Sequence, residues 1–224
     1  MKHKTCISIT ENSPIRLKKT LAIALKKSDY AEIRFDFLKP EEIPKALWMV
    51  EKDLKRAVCT LRPKTEGGRF GGNEKERSSI LKLIAEYNPL LLDVEFNTIR
   101  KDKELRAYLK STKTQLLVSW HDFKKTPSFS QLRNQMKAMA KFSSAIKIVT
   151  TAKSADDAIR VLQLYNTRGK TRLVAFSMGD AGRISRILCL YLGSPYTYVS
   201  LGKPVAPGQF NIDQVKRITG ITAR

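Results

Sequence analysis

Short apolar runs recur along the chain, and each leads through a turn signal into a stretch where apolar residues return every three or four positions. The runs read as buried strands over 5–9, 31–35, 57–62, 91–95, 115–120, 145–149, 172–177 and 196–200. The stretches between them read as amphipathic helices near 14–27, 41–50, 74–87, 100–111, 130–141, 155–166, 182–192 and 211–218. Helix starts are marked as well: Pro14 follows Ser13, Glu41 and Glu42 follow Pro40, and Ser154 precedes Ala155, Asp156 and Asp157. Successive strands begin about 27 residues apart, the length of a βα unit. Eight such units with no spare strand predict an α/β chain folded as a (β/α)8 TIM barrel, a single domain over 1–224. A doubly wound open sheet is the alternative, but no G-x-G-x-x-G follows the first strand, and eight even repeats suit closure better.

Barrel strands alternate between the helix layer and the barrel axis, and functional groups come from their C-terminal ends. In 31–36, Ile33 and Phe35 face the helices while Glu32, Arg34 and Asp36 face inward. In 57–62, Cys59 and Leu61 go outward and Val58, Thr60 and Arg62 inward. In 91–96, Leu92, Val94 and Phe96 go outward, leaving Asp93 and Glu95 inside. In 145–149, Ile146 and Ile148 go outward and Lys147 inward. Four strands therefore aim ionisable groups at one cavity. Parallel strands buried on both faces leave no solvated polar side to explain this, and buried charges need partners. Glu32, Asp36, Asp93, Glu95 and Glu66 can balance Arg34, Arg62, Lys147 and one more arginine in a mixed network.

Lys147 stands out because isoleucines flank it on a buried strand. Desolvation and nearby arginines disfavour its ammonium, so its pKa is expected to fall and supply the neutral amine that a Schiff-base nucleophile requires. His121 ends the fifth strand, one strand before Lys147, where it can exchange protons near neutral pH. His3, in the charged N-terminal tip, is expected to be solvated. The glycine-rich stretch 60–72 fails as a P-loop, since no Gly-Lys-Ser/Thr opens a helix after it; it reads as a mobile loop carrying Arg62 and Glu66. Residues 202–209, rich in glycine and proline, read as a lid after the eighth strand.

Composition narrows the class. The chain has 42 Lys+Arg against 21 Asp+Glu, a net charge of +21, which would attract nucleic acid, an anionic membrane or a small anionic substrate. The basic residues spread from Lys2 to Arg224 without a polybasic tail, with pairs such as Lys18-Lys19, Lys26-Lys27 and Lys124-Lys125 on helix faces or loops. Exposed aromatics interleaved with the charge are not evident, so a solvated basic surface is expected and no specific nucleic acid. No apolar run approaches 18 residues and no signal peptide opens the chain, which places it in the cytoplasm with no membrane partner. Three cysteines with no C-x-x-C pair predict neither a disulfide framework nor a zinc site, but small buried hydrophobes.

These segments together resemble the type I 3-dehydroquinate dehydratases. The likeness is carried by Glu32-Ile33-Arg34-Phe35-Asp36, Leu61-Arg62 with Glu66-Gly67-Gly68, Leu92-Asp93-Val94-Glu95, Ser119-Trp120-His121-Asp122-Phe123 and Ile146-Lys147-Ile148. Ser177-Met178-Gly179 with Gly182 and Ser185-Arg186, and Ala206-Pro207-Gly208-Gln209, complete it. The resemblance implies a (β/α)8 fold, no cofactor or metal, frequently a homodimer, and conversion of 3-dehydroquinate to 3-dehydroshikimate plus water in the shikimate pathway. It also implies that Lys147 forms an imine with the substrate ketone, and that His121 removes the adjacent proton and later protonates the leaving hydroxyl in a syn elimination. Glu66 would pair with and tune His121. Arg186 would bind the substrate carboxylate with help from Gln209, Glu32, Arg34 and Arg62 would hold the ring hydroxyls, Met178 and Tyr198 would line the cavity, and Ser8 would face it.

Two positions depart from the family pattern. Val205 stands where a hydroxyl residue commonly precedes Ala-Pro-Gly-Gln, so one lid hydrogen bond to substrate should be missing, and Tyr198 stands where Phe is frequent. The competing readings are another Schiff-base barrel lyase, such as a class I aldolase, and a basic binding protein. An aldolase acting on sugar phosphates would want a phosphate site near the last two strands, where Asp180 is unhelpful. A binding protein would leave the inward charges of four strands unexplained.

Overall fold

A computed structural model describes residues 3–220; Lys2 and Arg224, the two ends of the basic distribution, lie outside the described residues. The strands are β1 (Thr5–Ile9), β2 (Tyr30–Arg34), β3 (Ala57–Thr60), β4 (Leu91–Glu95), β5 (Leu116–His121), β6 (Ala145–Thr151), β7 (Arg172–Met178) and β8 (Thr197–Val199). The helices are α1 (Pro14–Lys27), α2 (Ile43–Val50), α3 (Glu74–Glu86), α4 (Phe96–Lys101), α5 (Lys103–Ser111), α6 (Phe129–Ala140), α7 (Ala155–Leu162), α8 (Ser185–Tyr191) and α9 (Ile212–Thr219). The strands form one eight-stranded sheet in the order β7-β6-β5-β4-β3-β2-β1-β8. The pairings β1–β8, β2–β3, β3–β4 and β6–β7 are parallel. This is the (β/α)8 architecture that the alternating pattern predicts.

Two compact units divide the described residues: 8–117, and 3–7 with 118–220. Within the first, α1 starts where Ser13 accepts a hydrogen bond from the Arg16 amide, with Pro14 supplying a helical φ; Lys26 and Lys27 favour its carbonyl end. Its apolar face, Leu17, Leu21 and Ala24, is buried. The single helix expected over 100–111 is two. Asp102 separates them: its amide donates to the Thr98 carbonyl, closing α4, while its carboxylate accepts from the Leu105 amide, opening α5. The third strand ends at Thr60 instead of 62, and Phe35–Phe37 is a 3-10 turn, so Asp36 leaves the strand that was expected to carry it.

In the second unit, Ser154 caps α7 and a reciprocal Ser128–Gln131 box caps α6. The helix expected to 166 ends at Leu162 and tightens into a 3-10 segment, Gln163–Thr167. β6 pairs with β7 so that Lys147 lies opposite Val174 and Thr150 opposite Ser177. His3 is not simply solvated, since its ring lies 4.4 Å from that of Tyr191. The three cysteines are free and buried, and burial pushes the Cys59 thiol up and that of Cys189 to about 11. They pack as small apolar side chains. Among the described residues, no helix is long and apolar enough to cross a membrane.

Candidate active site

In the first unit the inward positions of three neighbouring strands carry a connected charge network. Glu32 of β2 is buried and accepts hydrogen bonds from the Ser8 hydroxyl at 2.8 Å and the Thr60 hydroxyl at 3.0 Å. Ser8 and Thr60 are thereby fixed on either side of it in the sheet. Arg62, two residues past the end of β3, donates to Asp93 at 2.7 Å and to Glu95 at 2.8 Å. Burial alone would weaken its charge, but these two carboxylates outweigh burial and hold its pKa up. Arg34 forks onto Asp36 through two bonds of 2.8 and 2.7 Å, with its pKa likewise raised against burial. The 3-10 turn thus pairs Asp36 with one of the arginines that the charge balance called on.

One member of the network has no counterpart in the sequence reading. Arg77 of α3 is 1% exposed and donates to Glu95 at 2.7 Å, to the Leu61 carbonyl at 3.1 Å and to the Thr98 hydroxyl. A helical arginine is ordinarily solvent-facing. The available signal was its register: positions 77, 81, 84 and 85 form the buried face of α3, so Arg77 lies in line with Leu81, Ile84 and Ala85.

Glu66 follows from the charge count. Arg34, Arg62 and Arg77 face four buried carboxylates, Glu32, Asp36, Asp93 and Glu95, before Glu66 is added. Burial, then repulsion from Glu95, lifts the Glu66 carboxyl from 4.5 to about 7, with Arg62 opposing. The loop carrying it is a closed turn. Phe70 donates its amide to the Arg62 carbonyl, Gly68 donates to Pro63, and Phe70 is buried beneath. Gly68 is required there, because a Cβ would fall 2.0 Å from the Arg62 carbonyl oxygen. The glycine-rich segment is thus closed on itself by backbone hydrogen bonds.

The raised carboxyl makes stability fall with pH. The folded chain binds more protons than the unfolded one between about 4.5 and about 7, so the contribution of Glu66 is favourable at the acidic end and lost as pH rises through the folded value. Glu66→Gln should flatten that slope and stabilise the protein above pH 7 by roughly 2 kcal/mol, allowing for partial solvation. Urea titrations of both proteins across this window check it; parallel pH dependences would refute it.

The second unit supplies an amine, an imidazole and a guanidinium. Lys147 is 6% exposed, and its Nζ lies 4.2 Å from the centroid of the Tyr198 ring. That contact sets the ammonium over an aromatic face. Tyr198 is in turn held edge-on by Tyr196 at 5.4 Å and Phe176 at 6.3 Å. His121, at the end of β5, is partly exposed and stacks on Phe123 at 5.7 Å. Met178 is buried at the end of β7.

Arg186 is the most telling group. It is 2% exposed, its guanidinium lies 4.3 Å from the Phe176 ring centre, and one Nη donates to the Pro207 carbonyl at 3.1 Å. Its Nε has no partner, and no carboxylate among the described residues pairs with it. Burial lowers its pKa to about 10, so it remains a cation at neutral pH. A buried arginine without a counter-ion is costly unless an anion arrives from outside.

Residues 202–209 form a turn tied to this arginine. Pro207 receives its hydrogen bond, and Gly208, at φ 71°, approaches the Gly179 carbonyl so closely that a Cβ would lie 2.8 Å from it. Gln209 is buried; its Oε1 accepts the Val205 amide at 2.8 Å, which leaves its NH2 group as a donor. Val205 contributes only its backbone. Placing serine there would add a hydroxyl to the turn, and Val205→Ser is expected to lower KM several-fold with kcat little changed, as uniform binding requires. Unchanged KM would show that the hydroxyl does not reach substrate.

A (β/α)8 scaffold presenting a buried lysine, a histidine and an anion-seeking arginine at strand ends and following loops defines an enzyme that acts on a small anionic compound. The model of the Type I 3-dehydroquinase family matches residues 5–223, and the chain belongs to that family. A 3-dehydroquinate dehydratase of Methanocaldococcus jannaschii is 32% identical over 221 residues, 95% of this chain and 96% of the relative. One of Dehalococcoides mccartyi is 37% identical over 203 residues, 88% of this chain and 89% of that one. The crystal structure of the 3-dehydroquinate dehydratase of Geobacillus kaustophilus superposes with a TM-score of 0.89 at 24% identity, covering 99% of this chain and 91% of that one.

Proposed function

We propose that the chain dehydrates 3-dehydroquinate to 3-dehydroshikimate through an imine on Lys147. Arg186 carries this reading: a buried guanidinium without a protein carboxylate calls for a substrate anion, and 3-dehydroquinate has one carboxylate to offer. In its neutral form the Lys147 amine adds to the ketone carbon and water leaves, giving an iminium. The iminium acidifies the neighbouring C–H, so the His121 imidazole suffices to remove that proton and form an enamine. Collapse of the enamine expels the β-hydroxyl, which takes the proton back from His121 and departs as water. Hydrolysis of the conjugated iminium then frees the product and restores the lysine.

The remaining residues bind and orient. Gln209 donates its free NH2 group toward the carboxylate, while Met178 and the Tyr198 ring wall the cavity. Glu32, Ser8, Arg34 and Arg62 hold the ring hydroxyls, their orientations preset by the bonds of Ser8 to Glu32, of Arg34 to Asp36, and of Arg62 to Asp93 and Glu95. Glu66 tunes the protonation of His121. Incubation with 3-dehydroquinate should produce a conjugated, ultraviolet-absorbing product. Borohydride added during turnover should leave a mass adduct mapping to Lys147. Product without any adduct would remove the imine, and neither product nor adduct from folded protein would remove the function.

The active form is proposed to be a homodimer. Ile184, Leu188, Tyr191 and Leu192 are exposed along α8 and its ends at helical spacing, an apolar stripe on a strongly charged chain. Sedimentation should give twice the 25.4 kDa chain mass, and Leu188→Glu should shift it to the monomer. A wild-type monomer at micromolar concentration would refute the dimer.

A further inference from the structure

Between the end of β5 and α6, a cavity of about 170 Å³ is lined by Trp120, Lys125, Pro127, Gln131, Leu132 and Gln135. None of these residues has a role in the reaction proposed above. The walls are the Trp120 indole, the Pro127 ring and the Leu132 side chain, which together favour a flat apolar body.

The polar groups share one property. Gln135 buries its Nε2 with no hydrogen-bond partner. Gln131 already uses its Oε1 to accept from the Ser128 amide at 3.1 Å and the Ser128 hydroxyl at 3.0 Å, so what it has left to offer is its NH2 group. Lys125 adds an ammonium, and the turn carrying it is preset, because one Asp122 carboxylate oxygen accepts from the Lys124 and Lys125 amides at 2.9 and 3.0 Å. The Thr151 amide donates to the Lys125 carbonyl and pins the same turn to β6. The side chains thus present donors and a positive charge, and a buried donor left unmatched is unfavourable.

We infer that this cavity is a second binding site, selective for a small planar carboxylate. The carboxylate would accept from Lys125 and Gln135 while its ring lies against Trp120. Charge-assisted hydrogen bonds in a partly desolvated pocket supply the selectivity for an anion over a neutral amide or an amine. The site stands whether or not the dehydratase reading does, since it uses different residues and is read by binding.

The chain has two tryptophans, and Trp48 is 71% exposed, so Trp48→Phe leaves Trp120 as the sole reporter at little cost to folding. Titrating this variant with benzoate should give a saturable change in tryptophan emission, and benzylamine should give none. Lys125→Ala and Gln135→Leu should each weaken benzoate by roughly tenfold, while Arg186→Met should leave it unchanged. Lys125 is exposed, so its variant folds and decides the matter even if Gln135→Leu does not. The site is overturned if benzoate gives no saturable change, or if Lys125→Ala leaves the binding intact. A signal abolished by Arg186→Met would place benzoate in the catalytic cavity and equally overturn it.

Discussion

Replacing Lys147 by alanine is expected to lower kcat by roughly 10⁵ or more and to abolish the borohydride adduct, with the protein still folded. The effect is large because, in the proposed mechanism, every later step depends on the imine: without it the C–H is not acidified, and the imidazole is too weak a base for an unactivated ketone. The fold should survive, since Ile146 and Ile148, on the opposite face of β6, keep their packing. His121→Ala provides the contrast. It should slow turnover by about 10²–10⁴ yet still permit an adduct, because imine formation does not require the elimination base. Circular dichroism, steady-state rates and mapped intact masses check the pair, and a K147A protein retaining substantial turnover would sink the mechanism.

Arg77→Leu is expected to destabilise the protein by about 3–5 kcal/mol, far more than a helical arginine normally contributes. Arg77 and Arg62 share the carboxylate of Glu95, one on each oxygen, at 2.7 and 2.8 Å. Removing Arg77 leaves a buried carboxylate oxygen and the Leu61 carbonyl without that donor, while burial prevents water from replacing it. Adding Glu95→Gln should recover part of the loss, as expected for two side chains in one network. Denaturant midpoints of the single and double variants measure this directly. Strict additivity would mean that the two side chains act independently, contrary to their geometry.

The fold was largely legible in the chain. Buried parallel strands must be apolar on both sides, and the helices covering them must be apolar on one, so eight repeats of that pattern stand out without any tertiary information. Ser13, Ser154 and Asn211 mark helix starts through local hydrogen bonds that a few adjacent residues complete. Local chemistry was also enough to pick out Glu32, Asp93, Glu95 and Lys147 as charges on buried strands, and all four are buried. It failed where a local hydrogen-bonded turn or cap overrode the hydrophobic pattern. Asp36 left its strand for a 3-10 turn and kept Arg34 as partner, and Asp102 split one apolar helical pattern into two helices.

What remained invisible was charge balance and burial. Periodicity shows which way a side chain points, but not which cation is left without an anion, because that depends on distances between strands and helices far apart in sequence. Arg77 is a surface residue by type and a core residue by position, joined to Glu95 across 18 intervening steps of chain. Glu66 titrates near neutrality only because Glu95 and burial act on it together, and Arg186 seeks an anion only because no carboxylate reaches its buried guanidinium. The strand–helix order and the buried charges on the strands are written in local pattern, where each residue answers to its near neighbours. Their protonation and their vacant hydrogen-bonding capacity come from tertiary packing, because desolvation and Coulomb forces act through space and take no account of sequence distance.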